Sequence, residues 1–76
     1  MRTRTFISTG HLIDSGIMSE IFNTIMYEGA DYEVTSFDIG KKKSEKSKLE
    51  LILKCEDSLK LETLSDRLIS LGAYEK

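Results

Sequence analysis

The sequence predicts an α+β fold in which strands and helices follow the order strand, helix, strand, strand, helix. Three patterns carry that expectation. Thr3–Thr9 is rich in β-branched residues and stops at Gly10, as a strand does. Ile17, Ile21 and Ile25 recur every fourth residue beside Met18, Phe22 and Met26, a wide apolar stripe at helical period. Leu49, Leu51, Leu53 and Cys55 alternate with Lys48, Glu50, Lys54 and Glu56, which marks a half-buried strand.

The elements between these anchors follow in order. Asp14 or Ser15 stands where a side chain accepts from the free amides of the first helix, and Gly29 suits its left-handed stop. Asp31–Ile39 reads as a second strand with a mixed pattern, Tyr32 and Val34 on one face and Phe37 and Ile39 on the other. Either both faces are partly buried or a bulge shifts the register between Val34 and Phe37. Lys41–Lys48 is wholly charged or hydroxyl-bearing and reads as a hairpin tip. Asp57 or Ser58 caps a second helix with core positions Leu61, Leu64, Leu68 and Leu71, ended by Gly72. Only Ala73–Lys76 follow. This order is the split βαβ, or ferredoxin-like, plan with its fourth strand truncated. Two helices are expected on one face of an antiparallel sheet, with the outer edge of the first strand unpaired.

Seventy-six residues make one small α+β module, residues 1–76, that buries only roughly 60% of its unfolded surface. Such margins are often reinforced by disulfides or metals, but one cysteine and one histidine allow neither a disulfide nor a Cys/His zinc set. The core needs other support, and the module is expected to belong to a longer chain. A net charge of −2 argues against general affinity for nucleic acid or anionic membrane. The longest apolar run, Leu51–Leu53, is far too short to span a bilayer. Arg2 and Arg4 precede no apolar signal segment, and the lone thiol fits a reducing cytoplasm.

Gly10-His11-Leu12-Ile13-Asp14-Ser15-Gly16 concentrates two of the five glycines and the sole histidine in seven residues. Gly10, His11, Asp14, Ser15 and Gly16 are the candidate ligand-binding residues: glycines admit a ligand to the backbone, and helix-terminal amides favour anions. The plainer alternative is a tight turn with a helix cap, closed over the core by Leu12 and Ile13. A catalytic role is not expected, since His11 and Asp14 have no evident nucleophile or second base beside them. Lys41, Lys42, Lys43, Lys46 and Lys48 suit either an acidic partner or a solvated tip. RNA recognition is disfavoured because Lys48–Glu56 offers no aromatic for stacking. Cys55 shares the alternation of the leucines and reads as core. Tyr32, Phe37 and Ile52, placed together on the open face, would form an apolar docking patch.

The string Gly10–Ser15, the isoleucine-rich helix, Gly29-Ala30-Asp31-Tyr32-Glu33-Val34 and the ending Leu71-Gly72-Ala73 resemble a known family. It is the N-terminal conserved domain of lysine-oxoglutarate reductase/saccharopine dehydrogenase-like (LOR/SDH) proteins, which include microbial ornithine cyclodeaminase-type enzymes. The resemblance implies a larger nicotinamide-dependent enzyme of amino-acid metabolism, binding NAD in a downstream catalytic domain. That machinery is not in these residues: Gly10 and Gly16 do not make a dinucleotide fingerprint. The fragment is thus expected to carry no cofactor, metal or catalytic residue of its own. It would serve docking or assembly, against the downstream domain and in a homo-oligomer. The alternatives are an ACT-like regulatory domain that binds an amino acid at Gly10–Gly16, and a protein-interaction module using the lysine loop.

Overall fold

A nine-residue antiparallel ladder between β1 (Arg2–Gly10) and β3 (Ser47–Cys55) forms the middle of the sheet. The computed structural model describes residues 2–12, 15–39 and 46–76. In chain order β1 is followed by α1 (Ile17–Tyr27), β2 (Asp31–Asp38), β3, α2 (Ser58–Ser70) and β4 (Tyr74–Glu75). The strands lie side by side as β2-β3-β1-β4, all antiparallel. This is the predicted ferredoxin-like arrangement, with both helices on one face.

Register decides which residues form the core. Phe6 lies opposite Leu51, Arg4 opposite Leu53 and Ser8 opposite Leu49, so the even positions of β1 share a face with the odd positions of β3. Ile21 and Ile25 from α1 and Leu61, Leu64 and Leu68 from α2 close onto that face. Leu53, Leu64, Leu68 and Ile25 are fully buried. Cys55 is buried among them as a small apolar residue. The second row of the α1 stripe is less deeply placed than its spacing implies. Met18 and Phe22 pack partly against the core, whereas Met26 is 64% exposed. Leu71 likewise falls at the α2 C-cap and is only half-buried.

The mixed pattern of the second strand resolves as a bulge. Val34 pairs with Leu51 and Ser36 with Glu50, so Thr35 is the extra residue. An extra residue restores a common face to positions of opposite parity. Tyr32 therefore lies opposite Leu53, and Phe37 opposite Leu49. Both pack against the core, and the Tyr32 ring stacks on Phe22 at 4.7 Å between centroids. The expected open-face patch of Tyr32, Phe37 and Ile52 is thus corrected: only Ile52, opposite Thr5 and Glu33, faces away from the helices.

The outer edge of β1 is also not wholly unpaired. Tyr74 and Glu75 pair with Ile7 and Phe6, and the Lys76 amide donates to the Thr5 carbonyl at 2.9 Å. Asp57 caps α2 as predicted, its Oδ1 accepting from Leu59 N at 2.9 Å and Lys60 N at 3.4 Å. Among the described residues, no helix is long and apolar enough to cross a membrane.

Two substitutions test this core by urea denaturation. Leu64→Ala, which opens a cavity between α2 and the sheet, is expected to cost about 2–5 kcal/mol. Asp57→Ala removes a helix cap and is expected to cost about 1 kcal/mol, with an unchanged slope against urea.

Candidate functional site

The turn between β1 and α1 is built around two glycines. Gly10 has φ 134° and Gly16 φ 76°, values that side-chain-bearing residues rarely adopt. A Cβ at either position would meet nothing within 4 Å, so backbone conformation, and not close approach of another group, calls for glycine here. Ser15 ties the turn together. Its hydroxyl donates to the His11 carbonyl at 2.6 Å and its amide to the same oxygen at 3.1 Å. The same Oγ accepts from Ile17 N at 3.4 Å, a long bond to the first helical amide, whereas the N-cap of α1 is Gly16 and carries no side-chain cap. Leu12 is 1% exposed and seals the end of the core.

Of the candidate ligand-binding residues, Gly10, His11, Ser15 and Gly16 therefore sit in one turn. His11 is exposed, whereas the Ser15 hydroxyl is occupied by backbone. Asp14 lies outside the described residues, as do Ile13 and the lysine-loop positions 41–45. Lys46 and Lys48, from the described part of that loop and strand, are exposed. Among the described residues no three His, Cys, Asp or Glu side chains are placed to hold a metal ion.

The sheet face away from the helices carries a polar network instead of the expected apolar patch. Glu50 accepts from Thr35 Oγ1 at 2.9 Å through Oε2 and pairs with Lys76 Nζ at 3.2 Å through Oε1. Lys54 pairs with Glu33 at 3.4 Å. Glu50 thus links the bulge of β2 to the end of β4 across the central strands. The hydrogen bond from Thr35, then that from Lys76, hold its carboxyl below the ordinary glutamate value of 4.5.

Two clefts open at the other end of the molecule from Gly10. One of about 290 Å³ is lined by Gly29–Asp31, Lys54–Asp57 and Lys60. A wider one of about 440 Å³ lies between Arg2, Thr3 and Arg4 of β1 and Ser58, Leu61 and Glu62 of α2. Neither has a local motif in the chain, because each joins residues more than 20 positions apart.

Residues 3–76 match the family described as "LOR/SDH bifunctional enzyme conserved region". The chain belongs to that family. Among LOR/SDH relatives, it is 38% identical over 64 residues to the ornithine cyclodeaminase of Methanococcus maripaludis, covering 84% of this chain and 15% of that protein. It is 36% identical over 73 residues to the ornithine cyclodeaminase of Methanothermobacter thermautotrophicus, covering 96% and 18%. The chain thus spans less than a fifth of these relatives. The same fold occurs in the crystal structure of the ternary complex of AgrE with ornithine and NAD+, at TM-score 0.94 and 27% identity, covering 99% of this chain and 11% of that one.

Three substitutions check the site geometry. Gly16→Ala is expected to destabilise by about 1–2 kcal/mol through its left-handed backbone, while His11→Ala changes thermal stability by less than about 0.5 kcal/mol. Thr35→Val should raise the Glu50 pKa, read from its side-chain carboxyl by NMR. Because that pKa is depressed on folding, the stability it contributes is complete above about pH 4.5 and is lost as pH falls through the folded-state value. Thr35→Val should accordingly flatten the acid limb of stability against pH.

Proposed function

We propose that residues 1–76 are the non-catalytic N-terminal module of a nicotinamide-dependent, amino-acid-metabolising enzyme of the ornithine cyclodeaminase or saccharopine dehydrogenase-like type. Its role is docking on the downstream catalytic domain and assembly of a cytoplasmic homo-oligomer. The observation that carries this reading is one of proportion. The family match takes in residues 3–76, yet those residues correspond to only 15% and 18% of two ornithine cyclodeaminases. A domain of this fold also forms 11% of a protein crystallised with ornithine and NAD+. NAD belongs, on this reading, to the larger remainder. The turn at Gly10–Gly16 has the open surroundings and exposed imidazole that an amino-acid ligand would meet, and any ligand contact of the module is proposed there.

The natural polypeptide carrying this segment is expected to release ammonia from ornithine in the presence of NAD+. Excising residues 1–76 should alter its oligomeric mass in light scattering, or its thermal midpoint, while the assembled enzyme retains kcat within about tenfold. A loss of kcat beyond a thousandfold in a folded, correctly assembled deletion variant would place catalytic groups in the module and refute the docking role. Calorimetry with ornithine tests the turn: binding to the 76-residue chain that His11→Ala abolishes would favour the amino-acid-binding alternative.

A further inference from the structure

The outer margin of β2 lies beside an apolar row of α1 that the core leaves partly uncovered. Among the described residues β2 is the outermost strand on its side of the sheet. Lys76 N donates to Thr5 O on the β4 side of β1. Backbone groups alternate in direction along a strand, so Phe6 points to β3, Leu51 and Leu53 point back to β1, and Ile52 and Lys54 point to β2. Asp31 and Glu33 are therefore the residues hydrogen-bonded to β3, whereas the N–H and C=O of Tyr32 and Val34 point to the open edge. Val34 is 42% exposed on the helix side of the sheet, opposite Leu51. Met18, Phe22 and Met26 recur every fourth residue and so share one row of α1. The stack of Phe22 on Tyr32 sets that row at the β2 margin, where Met26 is 64% exposed. The other face of β2 is acidic. Asp31, Glu33 and Asp38 lie opposite Lys54, Ile52 and Lys48, and the strand contains no basic residue.

We propose that this margin docks an extended segment of a partner protein in which lysine or arginine alternates with apolar residues. The segment adds to β2 over Asp31–Val34, the part that precedes the bulge at Thr35. Its backbone pairs with Tyr32 and Val34, the source of affinity in strand addition, and its alternate side chains supply specificity. Those on the helix side pack against Val34, Phe22 and Met26 and cover the apolar row. Those on the other face lie next to Asp31 and Glu33, so that the acids of β2 stand between the lysines of β3 and the basic residues of the partner. Opposite charges on neighbouring strands stabilise their pairing, and like charges directly opposite destabilise it. The same rule disfavours a second copy of this chain as the occupant. Paired with itself about a two-fold axis over Asp31–Val34, β2 sets Glu33 against Glu33, or Asp31 against Glu33. The acidic row thus keeps copies of the chain from joining edge to edge and leaves the margin to a basic strand.

Amide hydrogen exchange in the 76-residue chain tests the proposal with two pentapeptides as probes, one alternating lysine with valine and the other glutamate with valine. The lysine peptide is expected to slow exchange at Tyr32 and Val34 saturably, by about fivefold or more. Glu33, whose amide is already paired with β3, serves as internal control. The glutamate peptide should leave both amides unchanged. Glu33→Lys and Met26→Ser, both at exposed positions, should each weaken binding of the lysine peptide about fivefold or more while the circular dichroism melt stays cooperative. Glu33→Lys should also admit the glutamate peptide. Equal protection by the two peptides overturns the basic partner, and protection by neither overturns strand addition. Protection of Tyr32 and Val34 that rises with protein concentration alone, with a doubled mass in light scattering, overturns the proposal in favour of a second copy.

Discussion

The pairing of β1 with β3 is the constraint on which the rest of the structure depends. With Phe6 opposite Leu51, one face of two adjacent strands becomes apolar and the other polar. A slip of one residue would bring Glu50 or Ile52 opposite Phe6 and turn the leucines of β3 to the wrong side relative to it. Both helices are docked on the resulting apolar face. Their own spacing makes them amphipathic, but at 11 and 13 residues isolated helices of this length are marginal in water. Tertiary burial of Ile21, Ile25, Leu64 and Leu68 stabilises them.

The same ladder sets the outer strands. Glu50, on the polar face, is reached from β2 by Thr35 and from the end of β4 by Lys76. These are exposed interactions, each modest in energy, and their value lies in position: they tie both margins of the sheet to its centre. The bulge that frees Thr35 for this contact also returns Phe37 to the core. A single inserted residue thus serves the packing of one face and the hydrogen bonding of the other.

A domain of this size buries a modest share of its surface on folding, and a single cysteine allows no internal disulfide. It belongs to the LOR/SDH family and represents a small share of each relative's length. At Gly10–Gly16 the local chemistry is that of a well-formed turn, with Ser15 satisfied by the His11 carbonyl and Leu12 sealing the core.

Local pattern alone determined the element order, an α2 cap at Asp57 or Ser58, the burial of Cys55 and the family, because periodicity, capping chemistry and a string such as Gly10–Ser15 are all short-range signals. The candidate turn was legible for the same reason, since Gly10, His11, Ser15 and Gly16 are neighbours in the chain. Tertiary structure decided that β2 carries a bulge and is not buried on both faces, and hence that Tyr32 and Phe37 face the helices. It also decided that Met26 stays in water and that Tyr74 and Glu75 form a strand. Above all it placed Arg2 and Arg4 beside Ser58, Leu61 and Glu62, a cleft between segments more than 50 residues apart. Pairing register and helix docking act across such separations, and no window along the chain contains both partners.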